Sequence, residues 1–125
     1  MQIRVYYEDT DVGGVVYHSQ YLNFCERSRS EAFFSRGLSP AMSNGHFVVK
    51  ELHATYHAPA KLGDTLHVKN TLVELKRVSL KLHQEIYKED QKLFELDLIL
   101  ASVDYEGKIK KLSKEESELL NSLFT

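Results

Sequence analysis

The chain has 125 residues, 42% of them hydrophobic and 27% charged, with a net charge of −2 at neutral pH. That length suits one domain able to bury a core without disulfides or a structural metal, and the near-neutral balance gives no electrostatic footprint for nucleic acid or an anionic membrane. One cysteine, Cys25, excludes an internal disulfide and fits a reducing compartment; the start Met1-Gln2-Ile3-Arg4-Val5 lacks the apolar stretch of a signal peptide, and no segment approaches the ~18 apolar residues of a membrane span, so a soluble cytoplasmic protein is expected.

No internal repeat or Pro/Gly/Ser linker divides residues 1–125, which predicts a single domain. Ile3 to Tyr7 is β-branched and aromatic and reads as a strand. A polar loop follows, Glu8-Asp9-Thr10-Asp11-Val12-Gly13-Gly14. The one long helical candidate runs from about Ser19 to Arg36, with Tyr21, Leu22, Cys25, Arg29, Ala32 and Phe33 at three- and four-residue spacing. Ser19 is its expected N-cap and Gly37 its stop. Phe24 and Phe34 lie off that stripe, which suggests a helix covered on more than one side.

Beyond the helix the period changes to two. Val48, Leu52, Ala54 and Tyr56 share a face interrupted by Lys50, and Leu66, Val68 and Leu72 share another. Val78, Leu80, Leu82 and Ile86 follow, then Phe94, Leu96, Leu98 and Leu100. This is the alternation of antiparallel strands with one buried face. Hairpin turns fall at Leu62-Gly63-Asp64, Leu75-Lys76-Arg77 and Glu89-Asp90-Gln91. Ser113 and Glu116 form a capping box ahead of Leu119, Leu120, Leu123 and Phe124, a short C-terminal amphipathic helix. Strands run together rather than alternating with helices, so the fold class is α+β: an antiparallel sheet of about five strands with one long helix across its concave face.

The loop before the long helix concentrates the chemistry. Glu8, Asp9 and Asp11 crowd beside Gly13-Gly14, and the chain enters the helix through Val15-Val16-Tyr17-His18. Glycines let the backbone approach a ligand closely, and a helix start offers unpaired N–H groups and the positive end of the helix dipole. A carboxylate beside such donors is the equipment of an acyl-transfer site. The same residues also suit ordinary capping and turn chemistry.

The run Asp9-Thr10-Asp11-Val12-Gly13-Gly14-Val15-Val16-Tyr17-His18-Ser19-Gln20-Tyr21-Leu22, followed by Glu26 and Arg29, resembles the signature of the 4-hydroxybenzoyl-CoA thioesterase family, and within it the YbgC-type acyl-CoA thioesterases. A second segment, Tyr56-His57-Ala58-Pro59-Ala60-Lys61-Leu62-Gly63-Asp64, is also similar. The resemblance implies a hot-dog fold, with the sheet wrapped around the long helix, and hydrolysis of acyl-CoA thioesters to the free acid and CoA. It implies homodimers with the active site at the subunit interface, often paired into homotetramers, and a place in lipid metabolism. Asp11 falls on the family's catalytic aspartate and His18 on a histidine seven positions later. Gly14, Val16 and Tyr17, with the helix start, would supply or position the oxyanion donors. Coenzyme A enters as part of the substrate, so neither a cofactor nor a metal is implied.

A thioester carbonyl needs a nucleophile or an activated water, and stabilisation of the oxyanion that develops. A carboxylate is ionised at neutral pH and needs no partner to activate it. Direct attack and general-base catalysis by Asp11 are both compatible with the sequence. Glu26 is the rival carboxylate, read otherwise as a helix-surface residue near Arg29. Lys76 and Arg77 stand where the family often places a basic residue near the nucleotide, and read equally as a solvated hairpin tip. Cys25 is a packing residue rather than a nucleophile. His53 and His57 stand about 13 Å apart on a strand, too far to share one ion. Two other functions stay open: a scaffold engaging acyl carrier protein and lipid-synthesis enzymes, and a hot-dog dehydratase using His18 and Glu26.

Overall fold

Every second residue from Leu80 to Ile86 and from Phe94 to Leu100 is buried, and the sheet built by this alternation frames the molecule. The structure, a computed structural model, describes residues 1–124. In chain order these form β1 (Gln2–Arg4), a 3₁₀ turn (Tyr7–Asp9), α1 (Gln20–Phe34), β2 (His46–Tyr56), β3 (Thr65–Leu75), β4 (Ser79–Lys88), β5 (Gln91–Val103) and α2 (Lys114–Leu123). The five strands make one antiparallel sheet in the order β1-β3-β4-β5-β2. Consecutive hairpins join β3, β4 and β5, while β2 returns to the outer edge of β5.

The inner face of the sheet and α1 share one core. Phe24 and Cys25 of the helix are fully buried, with Tyr21 and Phe33 close behind, among Leu66, Leu82, Phe94 and Leu98 of the strands. Fully burying a side chain of this kind stabilises by about 1.5–3 kcal/mol, so this stripe fixes the helix on the sheet. The predicted helix is two residues longer at its C-terminal end than the one formed. Ser35 closes the helix, and Gly37 at φ +72° turns the chain away as expected. Coverage of Phe24 and Phe34 differs: Phe24 lies in the core, whereas Phe34 faces outward and is exposed.

Two sequence expectations need adjustment, and two polar residues stand out beside the core. The first strand ends at Arg4, because the Asp9 carboxylate accepts the Tyr6 N–H at 2.9 Å and draws the chain into the 3₁₀ turn. Lys50, which interrupts the β2 pattern, sits in a β-bulge between Val49 and Glu51. The extra residue reverses the facing of everything beyond it. Val49, opposite Leu100, therefore shares the inner face with Leu52, Ala54 and Tyr56, and Val48 does not. Gln84 and Asn70 also face inward. Gln84 Nε2 donates to the Cys25 carbonyl (3.0 Å) and to Asn70 Oδ1 (2.7 Å), and Gln84 Oε1 accepts from Arg29 Nη1 (2.8 Å). Burial lowers the pKa of the Arg29 guanidinium from its ordinary value, with the nearby Cys25 and Glu26 opposing that shift.

The C-terminal helix forms as its sequence predicts. Ser113 Oγ accepts from the Glu116 N–H at 3.1 Å, and Glu116 returns the bond to the Ser113 N–H at 2.9 Å. Leu120 and Phe124 anchor it in the core. Among the described residues, no helix is long and apolar enough to cross a membrane.

Candidate active site

The loop between the 3₁₀ turn and α1 folds back on itself as a short antiparallel turn. The Asp11 N–H donates to Val15 O and the Tyr17 N–H to Asp9 O, each at 2.9 Å, with Thr10 bridged to Val16 between them. Gly14 takes φ +78° at the tip, a conformation that glycine adopts without a steric penalty. This puts Asp11 at the outer end of the turn and delivers Tyr17-His18 to the start of the helix.

Asp9 and Asp11 have different duties. The Asp9 side chain is buried and both of its oxygens are engaged, Oδ2 by the Tyr6 N–H and Oδ1 by Gln20 Nε2 at 2.8 Å. It ties the 3₁₀ turn to the first residue of α1. Asp11 is exposed. Its Oδ1 accepts the Gly13 N–H at 2.8 Å, and its Oδ2 has no hydrogen-bond partner among the described residues. A Cβ on Gly13 would stand 3.2 Å from Asp11 Oδ1, so glycine gives the carboxylate room to lie against the turn. One oxygen is anchored and the other is open.

The backbone donors are distributed more narrowly than the sequence suggests. The N–H of Gly14 donates to Asp11 O, that of Val16 to Ala60 O and that of Tyr17 to Asp9 O. Gly14, Val16 and Tyr17 therefore shape the turn rather than offering donors. The next two N–H groups along the chain, those of His18 and Ser19, have no partner among the described residues. Ser19 occupies the N-cap position, but its side chain makes no capping bond. These are unpaired donors at the positive end of α1.

The second sequence segment proves to be the strut for this turn. Ala60 O accepts the Val16 N–H, and the Ala60 N–H donates to the buried Tyr21 hydroxyl at 3.0 Å. Lys61 bridges to Val15. Asp64 closes the turn that follows, accepting the Lys61 N–H at 2.8 Å and pairing with Lys88 at 3.0 Å. Although burial opposes it, these partners together lower the Asp64 carboxyl from its ordinary value.

His18 lines a pocket of about 270 Å³ with Val16, Tyr21, Tyr56, His57 and Pro59. The Tyr56 hydroxyl, read from sequence as part of a strand face and as the start of the second family-like segment, donates to the His18 carbonyl at 2.6 Å. A tyrosine combines an apolar ring with a polar tip, which suits it to hold a backbone carbonyl from a packed ring. His57 Nε2 contacts a Glu95 carboxylate oxygen at 2.5 Å. Among the described residues no three His, Cys, Asp or Glu side chains are grouped to hold a metal ion.

Other candidates lie apart. Glu26 accepts from Ser30 Oγ at 2.9 Å and lines a different, larger cleft of about 450 Å³ with Arg29, Phe33, Phe47 and Phe124. Neither Asp11 nor His18 borders that cleft. Lys76 and Arg77 occupy the turn after β3, at the opposite end of that strand from the Lys61–Asp64 turn. The 11 residues of β3 separate the two ends by about 35 Å. One protomer therefore does not bring them to Asp11. Cys25 is sealed in the core, and burial pushes its thiol up to about 12, which removes it as a nucleophile at neutral pH.

Residues 13–95 match the model of the thioesterase superfamily. The chain is 48% identical over 87 residues to the acyl-CoA thioesterase YbgC of Helicobacter pylori, an alignment covering 70% of this chain and 65% of that protein. It is 37% identical over 106 residues to the acyl-CoA thioester hydrolase YbgC of Escherichia coli O157:H7, covering 82% and 79% respectively. Among solved structures it is similar to a probable thioesterase from Bartonella henselae, with a TM-score of 0.85, 32% identity and coverage of 90% of this chain and 97% of that one.

Proposed function

This chain belongs to the thioesterase superfamily and has its hot-dog fold, and from that premise we propose that it hydrolyses acyl-CoA thioesters to the free acid and coenzyme A, with Asp11 as the catalytic carboxylate. The carrying observation is the division of labour within Asp11: Oδ1 is held by the Gly13 N–H while Oδ2 has no partner among the described residues. The free oxygen either attacks the thioester carbonyl carbon, giving an anhydride that water opens, or takes a proton from the attacking water. The oxyanion is received by the N–H groups of His18 and Ser19, whose loss typically costs ~2.7–4 kcal/mol per donor in sites of this kind. His18 is among the residues lining a pocket beside the helix start, and its imidazole is suited to protonating the departing thiolate.

The scheme needs no cofactor beyond the coenzyme A of the substrate. Acyl carrier protein, which presents its acyl group through the same thioester chemistry, is the alternative donor. A reduced, unpaired Cys25 suits the cytoplasm.

We further infer that the working form is a homodimer built along β2. That strand is a sheet edge of 11 residues with exposed Val48, Val49, Leu52 and Tyr56. Unpaired edge groups backed by apolar side chains are a template for a second strand. A second copy running antiparallel along β2 would lie beside the Tyr56 end and shield the exposed Asp11 turn from water. It is also the route by which Lys76 and Arg77 of another protomer would approach the substrate. Sedimentation of a monomer at micromolar concentration would exclude this assembly. The activity is tested with purified protein and a panel of short, medium, long and aromatic acyl-CoAs, following thiol release. Turnover of at least one is expected, and release from none of them, nor from acyl carrier protein thioesters, would refute hydrolysis.

A further inference from the structure

The direction of a backbone N–H is set by the carbonyl that shares its peptide plane. The unit is planar and trans, so the N–H of one residue points opposite to the C=O of the residue before it. The plane carrying the His18 N–H is held within the helix start, where the Tyr17 carbonyl accepts from the Gln20 N–H at 2.9 Å. The plane carrying the Ser19 N–H is held from outside the helix. Its carbonyl, that of His18, accepts from the Tyr56 hydroxyl at 2.6 Å, and Tyr56 is the last residue of β2.

We propose that Tyr56 is a positioning residue for hydrolysis: its hydroxyl grips the peptide plane between His18 and Ser19 and keeps the unpaired Ser19 amide aimed at the oxyanion. This rests on the thioester-hydrolase reading above. The ring is a firm base for the grip, with its centroid 5.0 Å from that of Phe94 and 5.5 Å from that of Tyr21, both edge-on. The hydrogen bond is at the short end of the ordinary O–H···O range. Partial desolvation, with Tyr21 adding to it, raises the Tyr56 phenol from its ordinary value, so the group remains a donor at neutral pH. A carbonyl that accepts a strong hydrogen bond also polarises the N–H of its own plane, which makes the Ser19 amide a better donor.

The test compares wild type, Tyr56→Phe and Asp11→Asn on an acyl-CoA that the wild type turns over, with thiol release for rates and amide NMR for the backbone. Tyr56→Phe keeps the ring contacts and removes only the hydroxyl. It is expected to lower kcat about tenfold while KM stays within about twofold, the mark of an interaction used in the transition state. The melting temperature should hold, and the Ser19 amide resonance should move. A kcat within about twofold of wild type, or a raised KM at unchanged kcat, overturns the proposal. Tyr56→Phe intact beside an inert Asp11→Asn removes this inference alone. An active Asp11→Asn removes the turn site, and this inference with it.

Discussion

Replacing Asp11 by asparagine separates the chemistry of the turn from its architecture. The carboxylate does two things: Oδ1 accepts the Gly13 N–H at 2.8 Å, and Oδ2 carries the open lone pairs. An asparagine oxygen can keep the first role but has no charge for the second. Alanine loses both. A net intramolecular hydrogen bond contributes about 0.5–1.5 kcal/mol, and the exposure of this turn favours the lower half of that range. For a chain of 125 residues each kcal/mol moves Tm by roughly 3–5 °C, so Asp11→Ala should melt about 2–5 °C lower and Asp11→Asn within about 2 °C of wild type. Activity should divide differently. Losing a general base lowers rates by about 10²- to 10⁴-fold, and losing a nucleophile at least as much, so both variants should fall by about 10² or more in kcat. The assay is release of CoA thiol at saturating acyl-CoA, with melting followed by circular dichroism. An Asp11→Asn variant that retains wild-type kcat within about threefold would refute the assignment.

Three further outcomes follow from the packing. Gln84→Leu leaves Arg29 Nη1, Asn70 Oδ1 and the Cys25 carbonyl short of a buried partner, at about 1–3 kcal/mol for each group that water cannot reach. The expected loss in urea unfolding is about 2–5 kcal/mol, and stability equal to wild type would show that the network is dispensable. Cys25, fully buried and with its thiol pushed up to about 12, should not react with a disulfide reagent in native protein, whereas unfolded protein should titrate one thiol. Rapid native labelling would contradict the core assignment. Burial alone would raise the Glu116 carboxyl, but the Ser113 groups and Lys110 together hold it below its ordinary 4.5. The unfolded chain therefore binds this proton more readily. The resulting stability is present above the ordinary carboxyl value and disappears as pH falls through the lower folded value. The gap in unfolding free energy between wild type and Glu116→Gln should be widest near neutrality and close in acid; a gap independent of pH would count against it.

The sequence disclosed the elements that obey a single period. The helix α1, the alternating β4 and β5, and the Ser113–Glu116 cap are all forced by local pattern. What escaped depended on counting or on distance. The bulge at Lys50 was legible only as a change of parity, with Phe47 and Val49 on odd positions giving way to Leu52, Ala54 and Tyr56 on even ones. Nothing local marks Gln84 as a buried linker, because its partners Cys25 and Asn70 lie 59 and 14 residues away along the chain. At the site, the motif singled out the turn and, by resemblance, Asp11 within it. The hydrogen bonds that anchor Asp9 and leave Asp11 Oδ2 without a partner among the described residues appear only in the fold. Likewise Val16 and Tyr17 are helix-proximal in sequence, yet their amides are committed to Ala60 and Asp9. No local rule shows that two strands of chain will fold close enough to claim them.

The double attachment of Ala60, to the turn through its carbonyl and to the helix through its amide, makes that residue a keystone with no reactive group of its own. Damage there would slacken the carboxylate and the amides relative to each other while leaving every participating side chain in place. Such a lesion would be scored in a kinetic screen as a defect of chemistry. By the same logic, a small molecule wedged behind this segment would silence the proposed hydrolysis without competing for the substrate.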